Sequence, residues 1–156
     1  MSAERKYATG KELFYDDIEI GMETPPFTFH MTEGIVTGYA DAVEDPNPVY
    51  RDETAARAEG FDGIVAPPAT VGMYSKITNL LGACTPKMIP PPGAIHARQV
   101  YEFSGVVRAG DVITTTGKFI DKYIKKERKY VVIESIHKNQ KGEKIARGEI
   151  TAIWPK

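Results

Sequence analysis

Within this 156-residue sequence, Asp45-Pro46-Asn47-Pro48-Val49-Tyr50 brings a carboxylate, an amide and a phenol together inside six positions. Asp45 and Asn47 each precede a proline. Proline locks its own φ and holds the residue before it in extended or turn geometry. The backbone therefore aims these two side chains without a helix face. A carboxylate next to an amide can do acid–base work on a substrate held nearby. The same residue types are ordinary turn formers, a use that needs no further cause. Tyr50 titrates near pH 10 when unperturbed, so walling a pocket or an interface is the simpler use of it.

The other reactive residues are scattered. His96 stands among Ile95, Ala97 and Arg98 in a strand-like segment. His30 and His137 have no cysteine or carboxylate at ligand spacing, so no metal site is expected. Cys84 is the single cysteine. It excludes an internal disulfide framework, fits a reducing cytoplasm and has no base nearby to make it a nucleophile. No glycine-rich phosphate loop is present.

Composition is that of a globular domain: 42% hydrophobic and 26% charged, with net charge −1 and a pI near 6.3. No global field favours nucleic acid or an anionic membrane. No apolar run approaches the ~20 residues of a membrane span, and the polar first residues lack the apolar stretch of a signal peptide. The expectation is a cytoplasmic protein with a loose polar arm over 1–12 and one domain over 13–156.

The elements around the motif follow from periodicity. Thr24 to His30 alternates as a strand. Thr32 caps a helix whose apolar face is Ile35, Val36, Tyr39, Ala40 and Val43. Asp52 or Thr54 caps a short helix through Ala58, which Gly60 ends. Pro68 suits a first helical turn. Val71, Met73, Tyr74, Ile77, Leu80 and Leu81 then predict an apolar, buried helix over 70–81, stopped by Gly82. Thr85 to Gly93 carries four of the 11 prolines and reads as a loop. Ile95 to Phe103, Asp111 to Lys122, Lys129 to Lys138 and Lys144 to Trp154 read as strands, the last three an antiparallel meander. The class is α+β, a sheet curled around one buried helix.

The run from Tyr39 to Tyr50, with Ala55-Ala56-Arg57, Gly60-Phe61 and Ile64-Val65-Ala66, resembles the MaoC-like (R)-specific hydratases and dehydratases. Ile95 to Phe103 and Arg108-Ala109-Gly110-Asp111-Val112 are similar to that family's later strand and turn. The resemblance implies the hotdog fold and an enoyl or (3R)-hydroxyacyl thioester of coenzyme A or acyl carrier protein as substrate, with no further cofactor. The family motif is approximately Asp-x-Asn-Pro-x-His, followed by Ile-Ala-His-Gly. By position, Asp45 and Asn47 match its catalytic aspartate and asparagine. Tyr50, Ala66, Pro67, Pro68, Thr70 and His96 become substrate-contact candidates.

Two positions depart from the family. Tyr50 replaces the histidine that serves as base, and Pro67-Pro68 replaces His-Gly, where a backbone N–H helps bind the thioester oxygen. Proline has no N–H to donate. Together these departures resemble the degenerate half of double-hotdog dehydratases, which shapes the acyl tunnel while its partner keeps the dyad. The resemblance implies a homodimer, or a heterodimer with a catalytic hotdog subunit. The alternatives are a self-sufficient homodimeric hydratase using Asp45 with Tyr50 or His96, and a non-enzymatic acyl-binding module. The basic run Lys122, Lys125, Lys126, Arg128, Lys129 is a solvated hairpin tip or a contact for coenzyme A phosphates or an acidic carrier protein.

Overall fold

The structure, a computed structural model, describes residues 10–155. Seven strands and four α-helices follow one another: β1 (Lys11–Glu12), β2 (Phe27–His30), α1 (Glu33–Ala42), α2 (Glu53–Ala58), α3 (Val71–Tyr74), α4 (Ile77–Gly82), β3 (Met88–Ile89), β4 (Ile95–Phe103), β5 (Val112–Lys125), β6 (Arg128–Lys138) and β7 (Lys144–Trp154). The large sheet is antiparallel in the order β2-β5-β6-β7-β4, so β2 and β4 are its edges. No helix is long and apolar enough to cross a membrane among the described residues.

Alternation places Ile113, Phe119, Val131, Ile133, Ile150 and Trp154 on one side of this sheet, all buried. The helical segment Val71–Gly82 lies against them. Leu80 and Leu81 pack with Phe119, Ile133 and Trp154, while Val71 and Tyr74 pack with Ile113, Val36 and Ala146. This is the curled sheet over a buried helix that the sequence predicts.

The buried helix is interrupted, which its continuous apolar pattern does not show. A 3-10 turn over Pro68–Thr70 leads into α3, and Lys76 is extended (ψ 137°) before α4 begins. The break has a polar cause. Ser75 is buried and hydrogen-bonds the Tyr101 hydroxyl on β4. The carbonyl of Met73, which a continuous helix would satisfy, instead accepts from Asn79 Nδ2 at 3.0 Å.

The N-terminal expectation is corrected in part. Residues 1–9 of the expected arm lie outside the described residues. Lys11–Glu12 is no loose segment: it pairs in parallel with Met88–Ile89, inside the expected proline loop. Lys11 N–H donates to the Lys87 carbonyl at 2.8 Å, and Leu13 N–H to that of Ile89 at 3.0 Å. Leu13, Tyr15 and Ile18 are buried, and Trp154 Nε1 donates to the Leu13 carbonyl at 2.8 Å. The segment after the arm is therefore part of the core.

Candidate functional site

The motif turn is set by how α1 ends. Thr32 caps the start, its hydroxyl accepting from Ile35 N–H at 3.2 Å. At the other end Glu44 is left-handed (φ 55°), Asp45 N–H donates to the Ala40 carbonyl at 2.8 Å and Glu44 N–H to that of Asp41 at 3.0 Å. This pair of bonds is a Schellman stop, which turns the chain sharply out of the helix. Asp45 is the residue it delivers.

The two prolines then act as expected. Asp45 Oδ1 accepts from Asn47 N–H at 3.0 Å, and Asn47 Oδ1 accepts from Val49 N–H at 3.2 Å, capping a 3-10 turn over Pro48–Tyr50. Asp45 and Asn47 thus each commit one oxygen to a local turn. Asp52 N–H closes the turn on the Pro48 carbonyl at 2.8 Å. The Asp52 carboxylate then caps α2 through Ala55 N–H at 2.7 Å, so Asp52 is the cap rather than Thr54.

Asn47, Tyr50, Ala66 and Pro68 meet along a cavity of about 670 Å³, whose other wall is Ala55 and Ala58 of α2, Glu59 just after it, and Phe61. Ala66, Pro67, Pro68 and Thr70 also line a smaller cavity of about 210 Å³ together with Tyr74, Phe103 and Val106. The two cavities share Ala66, Pro68 and Val106, so they form one groove beneath the end of β4. Asp45 lines neither. His96 lies elsewhere, lining a third cavity of about 910 Å³ with Ile77, Pro91, Ile150 and Trp154. The structure therefore gathers six of the eight sequence-derived site residues, and leaves Asp45 outside the groove lining and His96 apart.

The groove is poor in acid–base chemistry. Partial burial, and then the Asp45 carboxylate, push the Tyr50 phenol above its ordinary range, away from neutral pH. The Ala66 N–H is spent on the Val107 carbonyl at 2.8 Å. Pro67 and Pro68 have no N–H, and the buried Thr70 hydroxyl donates to the Pro67 carbonyl at 2.7 Å. A thioester carbonyl at the two prolines would find an apolar wall.

Sequence reasoning missed the α2 wall and Val106. Ala55, Ala58 and Glu59 recur at i, i+3 and i+4, one face of a helix, and that spacing was the available signal. It also missed a buried polar trio. His137 Nδ1 lies 2.9 Å from Thr115 Oγ1 and its Nε2 lies 3.0 Å from Ser135 Oγ, all three groups fully buried. No cluster of ligating side chains suited to a metal occurs among the described residues.

The curled antiparallel sheet, the buried helical segment and the Asp-x-Asn-Pro turn beside an apolar groove define a hotdog protein of the hydratase type. A family model described as the FAS1-like dehydratase domain region matches residues 19–147, and the chain belongs to this family, among the MaoC-like hydratases and dehydratases. It is 31% identical over 94 residues to a UPF0336 protein of Thermobifida fusca, covering 57% of this chain and 59% of that one. It is 29% identical over 101 residues to a 3-hydroxybutyryl-CoA dehydratase of Methylorubrum extorquens, covering 65% and 60%. The matches thus span about three fifths of each of these relatives. Among solved structures, the unliganded R-hydratase of Pseudomonas aeruginosa superposes with a TM-score of 0.72 at 25% identity, covering 91% of this chain and 85% of that one. The 3R-hydroxyacyl-ACP dehydratase complex of Mycobacterium tuberculosis shares the fold, with a TM-score of 0.73 at 23% identity over 86% and 96% of the two chains.

Proposed function

We propose that the chain is the substrate-binding half of a (3R)-hydroxyacyl-thioester dehydratase or enoyl-thioester hydratase, completed by a second hotdog unit that carries the acid–base dyad. The observation that carries the reading is the pairing of Tyr50, with its raised pKa, with a donor-free wall at Pro67 and Pro68. Hydration of an enoyl thioester needs a base for water, an acid for the α-carbon and donors for the enolate oxygen. Apart from the Glu59 carboxylate on the far wall and the Asn47 amide N–H, this groove offers none of the three. What it offers is apolar volume suited to an acyl chain, with the substrate arriving as a coenzyme A or carrier-protein thioester and no further cofactor.

The sheet edge supports the second unit. β4 has a strand on one side only, and Ile95 and Phe103 at its ends are about half exposed. Antiparallel pairing of two such edges sets the Ile95 end of one strand against the Phe103 end of the other. His96 and its cavity would then face the partner's motif turn, so this chain's apolar space would serve the partner's dyad. The partner that completes the site is a separate catalytic hotdog chain, since a second copy would bring the same Tyr50 and Pro67-Pro68.

The experiment is crotonyl-CoA hydration by the purified chain, alone and with a hotdog chain that retains the intact Asp-x-Asn-Pro-x-His motif. The expected result is no turnover alone, turnover by the pair, and little effect of Asp45→Asn in this chain. Robust turnover by the chain alone, abolished by Asp45→Asn, would establish the self-sufficient homodimer instead.

A further inference from the structure

We propose that the tip of the β5–β6 hairpin is a docking surface for an acidic acyl carrier protein. The proposal rests on the thioester reading above and deepens it, by selecting the protein-borne thioester over the free coenzyme A ester.

The hairpin outruns its neighbours. β2 pairs with β5 only as far as Thr115, and β7 ends at Trp154, opposite Lys129. The stretch from Tyr123 to Arg128 therefore projects with no strand on either side. Its base is clamped to the core. Lys122 Nζ donates to the Tyr15 and Ile18 carbonyls at 3.3 and 2.5 Å, and Lys129 Nζ lies 3.7 Å from Asp16. Both ammonium groups sit over the Tyr15 ring, at 5.0 and 4.9 Å from its centre.

The cations beyond the clamp are different. Lys125, Lys126 and Arg128 make no ion pair with the described residues. Register places Lys125 directly opposite Arg128, and like charges in that relation repel. The turn between them puts Lys126 (φ 48°) and Glu127 (φ 60°) in the left-handed region, which asparagine and glycine would occupy with less strain. Repulsion and strain are thus retained at one spot, with one carboxylate, Glu127, between Lys122 and Lys129. Alternation puts Lys125 and Arg128 on the face of Tyr123 and Tyr130, which stack at 4.9 Å and 9° and stiffen the ribbon. Tyr123 is 38% exposed beside these cations, and Ile124 points to the opposite face.

The chemistry selects the partner. None of the cavities described above includes a tip residue, so none of them gathers the tip cations around a free nucleotide or phosphate. Cations beside the exposed edge of a stacked tyrosine pair complement an acidic protein surface with a shallow apolar spot. The charges steer the encounter and Tyr123 supplies the desolvated contact. The positive charge is local, since the whole chain carries −1.

The test is fluorescence anisotropy of a labelled apo acyl carrier protein titrated with the full chain, together with its catalytic partner where one is required. Binding is expected to weaken with salt, at least tenfold with the double variant Lys125→Glu/Arg128→Glu, and about threefold with Tyr123→Ser. Crotonyl-CoA hydration by the completed enzyme is expected to be unchanged by these variants. No carrier binding by the wild type, binding indifferent to charge reversal, or tip-dependent binding to anionic phospholipid vesicles in place of the carrier would each overturn the proposal. Absence of turnover of both crotonyl-CoA and the crotonyl-loaded carrier protein, with tip-dependent docking intact, would sink the functional reading and leave the docking surface standing.

Discussion

The His137 imidazole is held 2.9 Å from Thr115 Oγ1 on the buried face of the sheet, with the Tyr74 ring edge-on at a centroid distance of 5.2 Å. Both ring nitrogens have hydroxyl partners, so the neutral form is satisfied without any carboxylate. Burial pushes its pKa down to about 4 from 6.5.

That depression predicts acid sensitivity. Above pH 6.5 the residue is neutral folded and unfolded, and its contribution is fully present. Between pH 6.5 and 4 the unfolded chain takes up the proton first, so stability falls as pH falls, by about 3 kcal/mol in all. Urea unfolding at pH 7, 5.5 and 4.5 reads this directly. His137→Gln should flatten that part of the profile, and an unchanged slope in the variant would assign the effect to other groups.

Restoring one catalytic position should not restore catalysis. Tyr50→His supplies a base, yet the wall at Pro67 and Pro68 still lacks a donor. General acid–base help is worth about 10²–10⁴-fold and one oxyanion donor about 10²–10³-fold. Tyr50→His alone should therefore stay at least about 10²-fold below the triple variant with Pro67→His and Pro68→Gly. The comparison is kcat/KM for crotonyl-CoA, and equal rates for the single and triple variants would contradict it.

The interrupted helix sorts two substitutions that its sequence pattern treats alike. Leu80 is fully buried against Phe119, so Leu80→Asp should unfold the chain at a cost of several kcal/mol. Met73 is half-buried, so Met73→Asp should be distinctly milder. Far-ultraviolet circular dichroism of the two variants separates these outcomes.

Gly148 on β7 faces the same buried polar layer. A Cβ there would overlap Ser135 Oγ and lie 3.1 Å from the Tyr101 ring. Gly148→Ala should cost about 1–3 kcal/mol by overpacking, read as a lower melting temperature. An unchanged melt would mean that Tyr101 moves aside freely.

The β4 edge predicts association. Sedimentation at micromolar concentration should show a dimer, of the chain itself or with its catalytic partner, and Val100→Pro should shift it to monomer by disturbing the edge backbone. A wild-type chain monomeric both alone and with that partner would refute the side-by-side assembly.

Much of this architecture is legible in the residues. Strands 95–103 and 144–154 carry their own alternation, and Thr32 and Asp52 announce their helices. The motif turn is legible because prolines act locally. What is not legible depends on distant partners. The helix break at Ser75 answers to Tyr101, 26 residues away, which no periodicity records. Leu13 joins the core through a carbonyl bond to Trp154, 141 residues away. His96 stands beside a bulge, where the register shifts between His96 and Arg98, and such a shift changes which face a side chain reaches. Its separation from Asp45 follows from its place at the opposite end of β4 from the motif groove.

The free margin of β4 has a consequence for how such proteins diverge. Peptide groups are the same in every chain, so a margin that joins through them does not distinguish kin from self. A duplicated copy could mate with its sister at once, and either copy could then lose its reactive residues while the pair kept working. If two unlike sisters paired along β4, fidelity would rest on flanking side chains such as Ile95 and Phe103, which stand at the two ends of that strand. Exchanging those ends between related chains is where a mating preference would be rewritten.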